Sequence, residues 1–217
     1  MVRFGAQVTS RECSGAQPDL VQAAGCVHRR GFVDVRVMLL DRDGIRRALG
    51  ALDDELGRSG VRAELFIVGG AAMALAYDAR RATVDVDATF LPAAEVRQAA
   101  RRVADELGLE PDWLNDGAKA FMPGNDPDQI NVFEGTNLSV AAASPRYLLA
   151  MKLLAARVDR DQDDIRALYE LCGFTTAEEG LRLLETTYPS HVIAPRAQFL
   201  LQEMFPAQER GGPGLSR

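Results

Sequence analysis

Lysine is nearly absent from this chain. Lys119 and Lys152 are the only two in 217 residues, and arginine carries the rest of the positive charge. Cysteine is scarce as well. Cys13, Cys26 and Cys172 are an odd number at unrelated spacings, which excludes a disulfide framework and a zinc site and points to a reducing cytosol. No apolar run approaches the roughly 20 residues that a membrane helix needs. The N-terminus has no basic segment leading into an apolar core, so no secretory signal is expected. The expectation is therefore a cytoplasmic protein with no membrane association. Net positive charge is missing too: 25 Lys+Arg face 31 Asp+Glu, a formal net charge of -6. That excludes a general nucleic-acid coater, whose affinity comes from phosphate neutralisation, but it leaves room for a local basic groove on an acidic body. What is present is ordinary for a globule, 47% hydrophobic and 26% charged, and the length is sufficient to bury a core without covalent staples.

Residues 1–36 are rich in Gly, Ser, Gln and Arg and hold no sustained period. They read as a poorly structured extension or as an overlong start ahead of Met38, with a short helix around Asp19–Ala24 as the alternative. From Asp43 onward, Ile45, Leu49, Leu52 and Leu56 recur at helical spacing, and Gly57 and Gly60 end that helix. Leu65-Phe66-Ile67-Val68 is a short run typical of a buried strand and leads straight into Gly69-Gly70. Ala71–Tyr77 is strongly helix-forming. Val84–Phe90 alternates, as a strand with one polar face does. Pro92 opens a helix with Val96, Ala100, Val103 and Leu107 on one face. Strands are expected near Ala118–Met122, Ile130–Phe133 and Leu138–Ala142, with a turn at Gly124–Asp128. From Ser144 the pattern is helical only. Ser144-Pro145 is an N-cap with proline at the first helical position. Helices are expected over Tyr147–Arg157, Asp163–Leu171 and Arg196–Phe205, and Thr176–Glu179 forms a capping box that starts another. The fold expected is α/β (α+β): a mixed-sheet core with flanking helices over residues 37–143, then a helical lobe over residues 144–217.

Three features carry chemistry. Gly69-Gly70 sits at a strand-to-helix turn, where a ligand can approach the backbone closely and unpaired N–H groups face a phosphate. The alternative is a tight turn that needs positive φ. Asp85-Val86-Asp87 puts two carboxylates on one strand face. Such a pair is costly unless a cation neutralises it, and Mg²⁺ prefers carboxylate oxygens together with substrate phosphates. The alternative is an exposed face paired with Arg80 and Arg81. Lys152 lies in an apolar helix, and a short turn returns Asp163 or Asp164 beside it. That suits a lysine contacting a triphosphate and held by an aspartate, with a structural ion pair plus an N-capping aspartate as the alternative.

The combination of a Gly-Gly turn, a helix and a strand carrying Asp-x-Asp resembles the polymerase-beta-like nucleotidyltransferase superfamily over roughly residues 62–172. The closer resemblance is to its minimal bacterial branch, the AbiEii-like toxins and the mycobacterial MenT toxins of toxin–antitoxin systems. It is carried by Phe66-Ile67-Val68-Gly69-Gly70-Ala71-Ala72, by Arg80-Arg81-Ala82-Thr83-Val84-Asp85-Val86-Asp87, and by Leu149–Arg157 through Asp161–Ile165. The resemblance implies transfer of NMP from an NTP, CTP or UTP favoured, to a tRNA 3′ end, with release of pyrophosphate. It implies one or two Mg²⁺ ions on Asp85 and Asp87, and nucleotide contacts from Gly69, Gly70, Thr83 and Lys152. It also implies that Asp163 or Asp164 positions Lys152, and that a cognate antitoxin exists as partner. Arg80, Arg81, Arg97, Arg101, Arg102, Arg146 and Arg157 are candidates for a basic path to the tRNA acceptor end, with a solvated face paired to neighbouring acids as the alternative. The chain departs from the superfamily in two ways. The gap from Gly70 to Asp85 is longer, and a third carboxylate is not evident: Asn131 cannot act as a base, and Asp116 is the candidate, with a plain loop aspartate as the alternative. Rival readings are transfer to a small molecule or a protein hydroxyl, and a scaffold that binds nucleotide or partner without turnover. A Rossmann dehydrogenase lacks its GxGxxG spacing here.

Overall fold

Asp41 sets the start of the first long helix. Its carboxylate accepts the Gly44 N–H at 2.7 Å, an N-cap that satisfies one of the free donors of the first turn. The structure is a computed structural model that describes residues 39–78, 80–155 and 157–206, so the expectation for residues 1–36 lies outside the described residues. Strand β1 (Leu40–Asp41) leads into α1 (Arg42–Arg58). The stripe of Ile45, Leu49, Leu52 and Leu56 is fully buried, as its 3.6-residue spacing requires.

Strand β2 (Ala63–Ile67) follows, then α2 (Gly69–Ala72), which passes into a single π-helical turn at Met73–Tyr77. Next come β3 (Ala82–Thr83), β4 (Val86–Leu91), α3 (Ala93–Leu107), β5 (Leu114–Asn115), a 3₁₀ turn at Gly117–Phe121, β6 (Ile130–Glu134) and β7 (Leu138–Ala142). The main sheet has the order β5-β4-β2-β7-β6, and β1 and β3 form a separate antiparallel pair. Central β2 runs antiparallel to β4 and parallel to β7, with Ala63 opposite Leu138. β5 runs parallel to β4, and β6 antiparallel to β7. The sheet is therefore mixed, as expected.

The period of two divides the sheet into faces. Ala63, Leu65 and Ile67 of β2, Val86, Ala88 and Phe90 of β4, and Leu138, Val140 and Ala142 of β7 are buried in one core with the apolar stripes of α1 and α3. The opposite face carries Glu64, Phe66, Asp87, Thr89 and Ser139, all more accessible. Phe66 meets Tyr147 edge-on, ring centroids 5.3 Å apart, which joins this polar face to the helices that follow.

Those helices are α4 (Pro145–Ala155), α5 (Val158–Cys172), α6 (Ala177–Thr187) and α7 (Pro195–Met204). Buried Asp126 fixes the entry to α4: it accepts the Ser144 N–H at 2.6 Å and the Ser144 hydroxyl at 3.0 Å. The Glu179 carboxylate accepts the N–H groups of Thr175 and Thr176 at 2.8 and 2.9 Å at the start of α6, and these bonds hold it below the usual carboxylate range. No helix of the described residues is long and apolar enough to cross a membrane.

Four elements differ from expectation. The strand expected over Val84–Phe90 starts at Val86, because Val84 and Asp85 form a bend between β3 and β4. Ala118–Met122 is not a strand. The Asn115 side chain accepts the Gly117 N–H at 2.9 Å, an Asx-type turn that starts the 3₁₀ segment instead. Ala71–Tyr77 is not a regular α-helix, because it widens into the π turn, where the Asp78 N–H reaches Met73 O at 2.8 Å. α5 starts five residues earlier than Asp163. Arg157 O accepts the N–H groups of Arg160 and Asp161, both at 3.1 Å, which closes the first turn ahead of Asp163.

Candidate active site

The end of β2 and the start of β4 are tied together: the Val68 N–H donates to Asp87 O at 2.9 Å. The chain then turns at Gly69, whose φ is +64°, a conformation that favours glycine. A Cβ on Gly69 would lie 3.4 Å from Asp87 Oδ2, and one on Gly70 would lie 2.8 Å from Thr83 Oγ1. Both glycines are thus needed, one for its φ and one for space. They bring bare backbone against the Asp87 carboxylate and the Thr83 hydroxyl. Since α2 has only four α-helical residues, this close backbone approach is the relevant feature of the Gly-Gly turn, more than a helix terminus.

Buried Trp113 positions the other flank. Its indole N–H donates to Ala100 O at 2.9 Å, and its carbonyl accepts the Val86 N–H at 2.6 Å. This holds short β5 along the start of β4, with Asn115 in register with Asp87. The Asn115 amide donates to Asp85 Oδ2 at 3.1 Å. Asp87 is half-buried. Burial pushes its carboxyl up from the ordinary aspartate value, the nearby Asp85 charge pushes it further, and Arg157 pulls the other way. Arg80 and Arg81 do not neutralise this pair. Arg80 binds Asp78, and Arg81 binds Asp78 and Asp164.

Lys152 comes from α4. Its Nζ lies 2.8 Å from Asp161 Oδ1 and 2.6 Å from Asp164 Oδ2, and all three side chains are about 15% exposed or less. Asp161 and Asp164 are one helical turn apart on α5, so they present one face to the lysine. The other oxygen of Asp164 binds Arg81, which links the hairpin of α4 and α5 to the segment just before Thr83. The structure therefore brings Asp164 to Lys152 and adds Asp161. The candidate Asp163 is corrected: it is exposed on α5 and is not a partner of Lys152, because the helical period turns it off the face that Asp161 and Asp164 share.

Gly69, Asp87, Gly117, Lys152, Arg157 and Asp161 line one cavity of about 220 Å³ on an apolar floor that includes Leu148, Met151 and Phe121. Residues 47–175 match the family described as "Nucleotidyltransferase of unknown function (DUF6036)". The chain belongs to this nucleotidyltransferase family. No curated protein and no solved structure matches the chain. The mixed sheet with flanking helices is a nucleotidyltransferase-like α+β fold, and the family match spans every element that builds the cavity.

In this nucleotidyltransferase the carboxylate pair passes a simple chemical test for a divalent cation. Among the described residues no group of three His, Cys, Asp or Glu is placed to hold a metal. Two carboxylates are nonetheless the usual protein share of a Mg²⁺ site completed by substrate phosphates. Burial, and after it the Asp85 charge, raises Asp87, and a cation would offset both by stabilising the ionised form. Asp116 does not supply a third carboxylate: it binds Arg97 at 2.6 Å and faces a separate, larger groove. That groove, about 730 Å³, crosses the polar sheet face beside Glu64, Phe66, Thr89, Arg97, Lys119 and Ser139, and neither Asp87 nor Lys152 lines it.

The arginines expected to share a basic path are divided. Arg97 lies over the Phe90 ring and binds Asp116, whereas Arg102 reaches across to Glu55 on α1. They share a helix but not a face. Arg146 packs over Phe174. Sequence reasoning missed Asn115 and Asp161. Asn115 sits on a two-residue strand that leaves no periodic signal. Asp161 was within reach through its i,i+3 spacing from Asp164, had α5 been started early enough.

Proposed function

We propose that this protein is a Mg²⁺-dependent nucleotidyltransferase of the cytoplasm. It would transfer NMP from an NTP, a pyrimidine nucleotide favoured, to the 3′ end of tRNA, acting as a toxin that blocks translation and is restrained by a cognate antitoxin. The observation that carries the chemical part of this reading is the meeting of Gly69, Asp87 and Lys152 in one cavity, drawn from three separated stretches of chain. The tRNA, toxin and antitoxin parts rest on the resemblance to AbiEii-like and MenT toxins.

Phosphoryl transfer asks a protein mainly for positioning and charge neutralisation. Asp85 and Asp87 would hold one or two Mg²⁺ ions, which supply charge neutralisation on the triphosphate and the departing pyrophosphate. The Gly69-Gly70 backbone admits phosphate oxygens where a side chain would block them. Thr83 donates its hydroxyl to a phosphate or orients Asp85. Lys152 offsets phosphate charge, and Asp161 and Asp164 hold its ammonium in place. The acceptor oxygen bonds to the α-phosphorus as the bond to the bridging oxygen breaks. Pyrophosphate leaves, and the acceptor proton passes to solvent.

The test is incubation of the protein with total bacterial tRNA, Mg²⁺ and each labelled NTP in turn, with Asp85→Ala as control. Label on tRNA from CTP or UTP, absent in the variant, is the expected result. A small-molecule or protein acceptor is the second reading, favoured by one observation: Arg80, Arg81, Arg97 and Arg102 are each bound to an acid. A tRNA substrate predicts activity that falls steeply with salt, and a small acceptor does not. An absence of transfer to any acceptor, with NTP still bound, would point to the scaffold reading.

A further inference from the structure

Asn115 occupies the place beside the carboxylate pair, and its side chain can be oriented from its two bonds. Its Oδ1 accepts the Gly117 N–H at 2.9 Å, so its Nδ2 is the atom that faces Asp85 Oδ2 at 3.1 Å. An amide is the one side chain of this size that accepts on one side and donates on the other. The backbone supports the same placement, since Asn115 on β5 is the register partner of Asp87 on β4. Gly117 is also constrained: a Cβ there would lie 3.0 Å from Asn115 Oδ1 and 3.9 Å from Asp87 Oδ1. The amide, the turn and both carboxylates form one connected unit, of which Asp87 and Gly117 line the cavity.

We propose that Asn115 is a positioning residue for Asp85, and that it stands where a third carboxylate would otherwise complete a metal-binding trio. This rests on the nucleotidyl-transfer reading and adds to it. The neutral donor holds one oxygen of Asp85 and leaves the other available to a divalent cation. It also limits the protein's contribution to two carboxylates, so the remaining ligands of a cation come from phosphate and water. Replacing Asn115 by Asp keeps the acceptor that binds the Gly117 N–H and exchanges only the group that faces Asp85. The substitution therefore separates a role toward Asp85 from a role in the turn.

Mn²⁺ titration of the full-length protein, read by the electron-paramagnetic-resonance signal of the free ion, tests this without any turnover. Asn115→Ala is expected to bind Mn²⁺ about tenfold more weakly than wild type, as loss of a partner that orients a ligand usually does. Asn115→Asp is expected to bind at least several-fold more tightly, because it adds an oxygen ligand, and to melt lower than wild type without a divalent cation, because a third carboxylate then faces Asp85 in place of a donor. Asn115→Ala binding like wild type, or Asn115→Asp binding no tighter, overturns the proposal and leaves the nucleotidyl-transfer reading standing. Wild type that binds no Mn²⁺ even with an NTP present overturns that reading, and the role of Asn115 with it. If Asn115→Ala does not fold, the comparison of Asn115→Asp with wild type decides alone.

Discussion

Two sets of acids face the same end of the molecule, and they are treated in opposite ways. Asp161 and Asp164 on α5 are matched by Lys152 and Arg81, with three cation–carboxylate contacts among four side chains. Asp85, just ahead of β4, has the Asn115 amide and Asp87 has the field of Arg157, but among the described residues neither has an ion-pair partner. A fold that wanted only stability would distribute its cations evenly. Among the described residues, this one leaves the two acids short of positive charge beside the cavity that Asp87 lines, and that is where an added cation would gain most.

The comparison can be broken from either side. The largest effect is expected from the strand acids. Asp85→Ala should lower nucleotidyl transfer by on the order of 10³-fold, the scale seen when one preorganised electrostatic group is removed, with a melting temperature no lower than wild type. A variant that keeps turnover within a factor of a few would remove the strand acids from the mechanism. Second, Lys152→Met should destabilise the protein by about 2 kcal/mol in urea unfolding. It leaves two carboxylates without their ammonium, and the cost is set below that of a fully buried pair because the side chains keep some exposure.

Third, Asp87→Asn should raise the melting temperature of the metal-free protein at neutral pH. The sign follows from the raised carboxyl of Asp87. A carboxyl that titrates higher in the folded state than in the unfolded chain favours folding at low pH, and that contribution is lost as pH rises through the folded value. The gain from Asp87→Asn should therefore vanish below the ordinary aspartate range and be complete at neutral pH. Equal melting temperatures at both ends of that range would contradict it. Smallest of all, Asp163→Ala should change stability by no more than about 0.5 kcal/mol and leave transfer untouched, whereas Asp164→Ala should lower both. Equal behaviour of the two would mean that the face assignment on α5 is wrong.

Much of this site was legible in the sequence because local rules dictate it. An apolar run ending in Gly-Gly can hardly be other than a strand entering a tight turn, and alternation pairs Asp85 with Asp87, although Asp85 lies in the bend just ahead of β4 and meets Asp87 through its charge. Lys152 stood out because lysine is so rare here and its helix is otherwise apolar. What escaped notice depends on tertiary register. Asn115 reaches Asp85 only because Trp113 anchors β5 along β4, and nothing in the two residues of that strand announces it. The choice among the aspartates of α5 depended on where the helix starts, and the early closure of its first turn brought Asp161 in and put Asp163 out. Two arginines of α3 follow the alternative of a face paired to neighbouring acids: Arg97 meets Asp116, and Glu55 on α1 draws Arg102 the other way.

The parallel pairing of β2 with β7 has a consequence in time as well as in space. Ala63 finds Leu138 only after roughly 75 more residues have been made, which at ordinary rates of synthesis takes about 4–15 s. Before then β2 can be covered on one edge by β4 while its other edge stays open, and an open strand edge invites foreign strands. For those seconds the nascent chain has the backbone that will bear Asp87 already emerged, but not the helices that supply Lys152. The newborn protein thus lacks one wall of its cavity and is most exposed to misassembly over the same interval, and both conditions end when the last strand docks and α4 and α5 follow it.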